Sequence, residues 1–230
     1  MRPPRSVLAA GAAVLALTLG ACTGGSEGSQ ERPEDVLAAA KAQLDETSGV
    51  RVLLETEQLP PKVEGIVRAE GVGNHTPAFK GELKVAAGGV QFDVPVVAAE
   101  GKVLAKLPFT TDFIEVNPAE YSAPDPAALM AAEGGLSSLL TAATDVEQGQ
   151  EVRSGEDVLA SYTGVLPGES VVAIIPGADA GSDFEATFTI DDEDHLREAV
   201  LTGQFYPDTE EMTYPVTFEE YDTTADITLP

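Results

Sequence analysis

The chain has 230 residues and a formal net charge of −26, from 39 acidic against 13 basic side chains. That balance repels nucleic acid and the phosphates of an anionic leaflet, so nucleic-acid binding is excluded as a function class. With two histidines, one cysteine and no G-x-S-x-G elbow, nucleophilic hydrolysis has no apparatus, and we expect no catalytic residue, metal or cofactor.

In chain order, Arg2 and Arg5 form a short basic start, and Ser6 to Leu19 is almost entirely Ala, Val, Leu and Gly. The run is too short for a permanent bilayer span of about 20 residues, but it suits a secretory signal. Leu19-Gly20-Ala21-Cys22 then resembles a bacterial lipobox. In such signals the thiol receives a diacylglycerol, the preceding peptide is cut away, and the cysteine becomes residue one. Two or more acyl chains are what durable anchoring needs, since one chain holds only marginally. The plainer reading is a secreted chain with an incidental cysteine; position, neighbours and uniqueness favour lipidation of Cys22. Residues 1–21 are thus expected as a signal peptide and 22–32 as a lipidated tether. Residues 33–230 remain for a single domain, at the extracytoplasmic face of the cell membrane. Losing residues 1–21 removes two arginines and no acid, leaving −28. The Gly/Ser-rich tether spans about 17–19 Å, beyond the ~8 Å over which salt screens the repulsion.

Pro33 opens a predicted helix, with Val36, Leu37, Ala40 and Leu44 at helical spacing up to Ser48-Gly49. The period then changes to two. Val50, Val52 and Leu54 begin a meander that continues through Val63–Glu70, Phe79–Val85 and, past a Gly88-Gly89 hairpin signal, Val90–Val96. Gly101 opens a fifth strand. Prolines 118, 124 and 126 punctuate short helices around Leu129 and around Leu136, Leu139 and Leu140. A strand is read at about 156–165 and a helical piece at Glu169–Ile175. Strands follow at Phe184–Ile190, 196–205 and 214–221. One face is apolar and the other rich in carboxylates, as in an antiparallel sheet covered on one side.

About ten antiparallel strands and few helices make this an α+β chain. A sheet of that size curls, and the Ala- and Leu-rich middle helices are the available cover for its inner stripe. Small lining residues leave two interiors open: an empty one, or a core of packed small aliphatics.

At this point the residues resemble a family. The lipobox, the short tether, the meander, the segment GKVLAKLPFTTDFIEVNPAEYSAPDPAALMAAEGGLSSLLTAA (101–143) and the block SDFEATFTIDDEDHLREAVLTGQF (182–205) are similar to actinobacterial lipoproteins of the LppX/LprA/LprF/LprG group. One departure is that Leu104 and Phe113 stand where relatives often carry a tyrosine and a tryptophan. The resemblance implies a curved antiparallel half-barrel, akin to the Lol-type carriers LolA and LolB, with helices over its concave face and a large hydrophobic cavity between. It also implies binding of acylated lipids or glycolipids and their movement outward through the envelope, in some cases beside a major-facilitator exporter.

On that reading the sheet stripe facing the lipid tails is Val52, Leu54, Val67, Leu83, Val85, Phe92, Val94, Phe184 and Phe188. Leu136, Leu139, Leu140, Val171, Val172 and Ile175 form the lid. Any one of the stripe residues is more readily ordinary core than a direct cargo contact. An anionic head group would be repelled unless Arg51, Lys62, Arg68, Lys80, Lys84, Lys102 or Lys106 gathered at the mouth, so a neutral or sugar-rich head is favoured. A monomer is expected. The competing function is a filled-core surface lipoprotein that scaffolds an envelope complex or transporter. Asp191-Asp192-Glu193-Asp194-His195 has the oxygen donors of a metal site but no EF-hand spacing, and is read as a solvated hairpin turn. Asn74-His75-Thr76 matches a glycosylation sequon, which Pro77 and the bacterial signal discount.

Overall fold

Pro33 fixes the first turn of helix α1 (Pro33–Glu46), and Glu34 and Asp35 sit at its positive end. Arg32, just ahead of it, grips the Asp35 carboxylate at 2.8 and 2.6 Å. Leu37, Ala40 and Leu44 form its buried stripe, as their spacing predicts. The structure is a computed structural model that describes residues 31–56, 59–121, 123–154 and 157–230. The expected signal peptide, Cys22 and the tether as far as Gln30 lie outside the described residues.

Strands β1 (Val50–Glu55), β2 (Gly65–Asn74), β3 (Ala78–Ala87), β4 (Val90–Ala99), β5 (Lys102–Ala105) and β6 (Ile114–Val116) form an antiparallel meander. The β3–β4 and β4–β5 turns are Gly88-Gly89 and Glu100-Gly101, all four residues at positive φ. That is the two-residue hairpin geometry whose twist matches the strands. A segment with short 3₁₀ turns at Pro118–Tyr121 and Ala128–Met130 leads to α2 (Ser138–Ala142). Strands β7 (Thr144–Ser154) and β8 (Asp157–Leu166), helix α3 (Gly168–Val172), and strands β9 (Phe184–Ile190), β10 (Leu196–Gly203) and β11 (Met212–Glu219) complete the chain.

The eleven strands make one sheet in the order β6-β5-β4-β3-β2-β1-β11-β10-β9-β8-β7. The two meanders join through the antiparallel β1–β11 pair, with Val52 opposite Phe218. Strands β6 and β7 are free edges, so the curved sheet is open and not a closed barrel. Sequence reading missed both edge strands: β6 has three residues, and β7 (TDVEQGQEVRS) has no apolar stripe, since of its side chains only Val146 reaches the core among the described residues.

The covered, inner face carries two apolar clusters. The first lies under the three helices and includes Phe184, Phe188, Leu166, Val171 and Leu140, each at most 1% exposed. Phe205 meets Phe184 and Tyr214 edge-on, at 5.0 and 4.8 Å between ring centres; such pairs add about 0.5–1.5 kcal/mol beyond area burial. The second lies on β3–β5 beneath the 118–137 segment: Phe79, Val94, Val96, Ala98, Val103 and Ala105 pack with Ala127. Among the described residues no helix is long and apolar enough to cross a membrane.

Candidate functional site

The inner face over β2–β5 is the candidate site, because the cover there is thin. Leu83, Val85, Phe92, Leu107 and Val116 border the second cluster and are only partly buried. Register explains why they share a face: Leu83 pairs with Val94 and Val85 with Phe92, so all four side chains point the same way.

The expected lining residues divide between the two clusters. Leu83, Val85, Phe92 and Val94 belong to the thinly covered one. Val52, Leu54, Leu136, Leu139, Leu140, Val171, Val172, Ile175, Phe184 and Phe188 belong to the helix-covered one. Val67 joins neither, since it stands at a β-bulge between Ile66 and Arg68 that takes it out of the alternation.

At the seam of its two clusters the inner face is closely filled. The apolar void at the seam of the two clusters, bounded by Leu44, His75, Met130, Leu136, Ser137 and Phe218, has a volume of about 10 Å³, the size of one water molecule. The reason lies in glycines. Gly71 and Gly81 face each other on β2 and β3, and the Phe79 ring lies so close that a Cβ at Gly71 would fall 2.5 Å from it. Met130 sits on Gly73 in the same way, also 2.5 Å from a Cβ built there. Two flexible side chains thus occupy the floor where backbone is bare. Sequence reading placed Phe79 in a strand but did not single out this floor. Its signal is the alternate glycines of GVG at 71–73 opposite Gly81.

Polar contacts hold the cover down. His75 donates from Nδ1 to the Met130 carbonyl at 2.6 Å, and Lys41 on α1 donates to the Ala132 carbonyl at 3.0 Å. Among the described residues, His75 Nε2 and the Ser137 hydroxyl are buried without a protein partner, and both residues line the small void.

An anionic head group would need cations gathered at a mouth, and four of the seven candidates stand together on the other side of the sheet. Arg51, Arg68, Lys80 and Lys84 do gather, around a concavity of about 580 Å³, but it lies on the outer face. Pairing sets them in rows: Glu55, Arg68, Lys84 and Asp93 lie side by side, next to Glu70 opposite Glu82. Arg68 bridges Glu55 at 2.9 Å and Glu70 at 2.8 Å, and Lys84 pairs with Asp93. The hydrogen bond from Arg68 holds the Glu70 carboxyl below its ordinary range. This is a self-neutralising lattice of surface ion pairs, each worth about 0–1 kcal/mol.

The acidic stretch after β9 is the hairpin turn expected, with Asp192 and Glu193 exposed but Asp191 turned inward. The Asp191 side chain is 1% exposed. It accepts from the Glu193 and His195 amides at 3.0 and 2.8 Å and from Arg197 Nε at 2.6 Å. Burial alone would raise its pKa; the two amides and Arg197 outweigh that and hold it below the ordinary value. Oxygens and a ring nitrogen of Asp191, Glu193 and His195 lie within 4.8 Å of one another. A guanidinium already holds the buried oxygen, which suits a hairpin lock better than a cation. Asn74 likewise closes the β2–β3 turn, its Oδ1 accepting from the Thr76 amide and hydroxyl at 3.2 and 2.8 Å.

No curated protein matches the chain significantly. Among solved structures, LprF from Mycobacterium bovis superposes with a TM-score of 0.69 at 14% identity, over 86% of this chain and 96% of that one. The lipoprotein LppX from Mycobacterium tuberculosis gives 0.61 at 18% identity, over 85% and 97%. A LolA superfamily protein from Nitrosomonas europaea gives 0.32 at 8%, over 87% and 96%, a likeness too loose to argue from. At such identities the likeness is one of fold: a large open antiparallel sheet with few helices. The profile of the LppX_LprAFG lipoproteins matches residues 32–229, which is nearly the whole of the described sheet and its cover. With fold and sequence profile in agreement over that span, the chain belongs to the LppX_LprAFG lipoprotein family.

Proposed function

We propose that this chain is a membrane-anchored envelope lipoprotein that binds multi-acyl lipids or glycolipids on the inner face of its sheet and carries them outward. Each methylene moved from water to a dry surface is worth about 0.8 kcal/mol, so a lipid with several long tails does not leave a bilayer unaided. A carrier lowers that barrier with an equally dry surface of its own. The observation that carries the reading is the partly exposed apolar group Leu83, Val85 and Phe92, on a face whose other part is sealed. Cargo tails would lie there, with Phe79 and Met130 leaving the glycine floor as they enter. Family membership supports the same reading, with Cys22 as the anchor. Among the described residues no cation cluster marks the inner face, which favours a neutral or sugar-rich head, and a major-facilitator exporter is the acceptor we would look for.

The test is lipid extraction from the full chain purified from an actinobacterial host, read by native mass spectrometry. Acylated lipid should accompany the wild type, and Leu83→Trp should lose it while unfolding at the same temperature. A lipid-free wild type, or full retention by Leu83→Trp, overturns the proposal. An unmodified thiol at Cys22 in the same preparation overturns the anchor alone.

A further inference from the structure

We infer that the seam of the two apolar clusters is a recognition site for one hydroxyl group of the cargo, held between His75 Nε2 and Ser137 Oγ. The inference rests on the carrier reading and names a group that the carrier would recognise. Four buried side-chain atoms lack a hydrogen bond among the described residues: Asp45 Oδ1, His75 Nε2, Ser137 Oγ and His195 Nδ1. Two of these have an opposite charge at hand. The Asp45 carboxylate pairs with Lys41, and His195 Nδ1 stands 3.4 Å from Asp191 and 3.8 Å from Glu193. The remaining two belong to residues that line one and the same void. Buried polar groups in folded proteins are nearly all paired, so two orphans at one void call for a ligand that pairs both.

Hydrogen-bond chemistry fixes what that ligand offers. The Met130 carbonyl only accepts, so the 2.6 Å contact puts the proton of the neutral His75 ring on Nδ1 and leaves Nε2 a bare acceptor. Ser137 stands directly before α2, where a serine hydroxyl commonly caps a helix, yet its side chain makes no cap. Its O–H therefore remains available to donate. A group that satisfies both residues donates to His75 and accepts from Ser137. A hydroxyl does this; an ester carbonyl or an ether oxygen, having no proton to give, does not. The void holds about 10 Å³, room for a single heavy atom.

The surroundings suit an alcohol at the root of an acyl chain. Leu44, Leu136 and Phe218 make much of the remaining wall apolar, the pattern of a ligand site with a few placed polar groups. Met130 lines the void and also covers Gly73, its sulfur 2.6 Å from a Cβ built there. A thioether chain with three rotatable bonds gives way readily. Its departure would join the void to the bare backbone of Gly73, so a tail lying on the glycine floor would bring its own hydroxyl to the seam. Two unpaired buried groups weaken folding, and binding explains their presence where stability does not. Water has the same hydrogen-bonding chemistry as the proposed alcohol, but it would pair the Ser137 hydroxyl in the cargo-free protein too.

The test compares dipalmitoylglycerol, which carries a free hydroxyl, with dipalmitoyl propanediol, which keeps both chains and lacks it. Each would compete with a fluorescent fatty-acid probe for the full chain. Wild type should bind the alcohol about tenfold more tightly, the worth of about one net hydrogen bond. Ser137→Ala should bind the two lipids alike and, free of cargo, should unfold at the wild-type temperature or slightly above it. Equal binding by wild type, or a preference that survives in Ser137→Ala, overturns the hydroxyl site and leaves the carrier reading standing. A cargo-free Ser137→Ala that unfolds several degrees lower shows that water already pairs the hydroxyl, and this also overturns the site alone. Failure of wild type to bind the probe and both lipids sinks the carrier reading and the site with it.

Discussion

Under the three helices the inner face presents Phe184, Phe188, Leu166 and Val171, closed off from solvent almost completely, whereas under the 118–137 segment it presents Leu83, Val85 and Phe92, each still partly in water. Both regions belong to one sheet and obey the same period of two. They differ in what covers them. Helices bring Leu37, Leu44, Leu140 and Val171 down onto large aromatic rings. From the 118–137 segment only Ala127 packs into the second cluster of valines and alanines, while its Leu129, Met130 and Leu136 go to the first. A cover with few apolar contacts opens at low cost, and such regions are where ligand-binding elements are drawn from. Stability resides on the C-terminal side of the sheet and adaptability on the N-terminal side.

This division can be broken from either side. The largest effect is expected for Phe188→Ala, which should cost about 3–5 kcal/mol in urea unfolding, as for other buried rings. A loss below about 1 kcal/mol would show that the helix-covered region is not the stable core. Asp191→Asn comes next, at about 2 kcal/mol near neutral pH, because Arg197 and two amides lose a charged acceptor. The folded-state pKa of Asp191 lies below its ordinary 3.8, so its contribution is present above that pH and disappears as pH falls through the folded value. Wild type and variant should therefore converge in stability in acid; a gap that persists there would mean that the charge is not what matters.

On the thinly covered side, Phe79→Ala should cost only about 1.5–2 kcal/mol, since the ring rests on glycines beneath a light cover. The same substitution empties the floor and should raise uptake of a fluorescent fatty-acid probe; reduced uptake would argue that Phe79 supports the site and does not fill it. Ser137→Ala, at the seam, is expected to be neutral or stabilising within about 0.5 kcal/mol, because its hydroxyl is buried without a partner among the described residues. A cost of about 2 kcal/mol in thermal unfolding would reveal a partner that the hydroxyl does have.

Much of the fold was legible in the chain. The Leu37, Ala40 and Leu44 stripe, the Gly88-Gly89 turn and the alternation of Phe184, Ala186, Phe188 and Ile190 are local signals, and each stands in the structure where it was read. Strand β7 was not legible, since an edge strand paired on one side and exposed to water carries no apolar stripe. At the site, alternation identified Leu83, Val85, Phe92 and Val94 as one face. It gave no sign that Phe184 and Phe188 would be sealed, with Val94, while Leu83, Val85 and Phe92 were not.

What the sequence determined by itself was periodicity: which side of each strand is apolar, where the chain turns, and that a helix precedes the sheet. The tertiary structure alone decided which stretch of that apolar side is sealed, that Phe79 and Met130 fill a floor of glycines, and that four cations meet on the outer face. The reason is that side-chain direction along a strand follows from the backbone's own repeat, whereas opposition across strands and the weight of the cover depend on register between residues far apart in the chain.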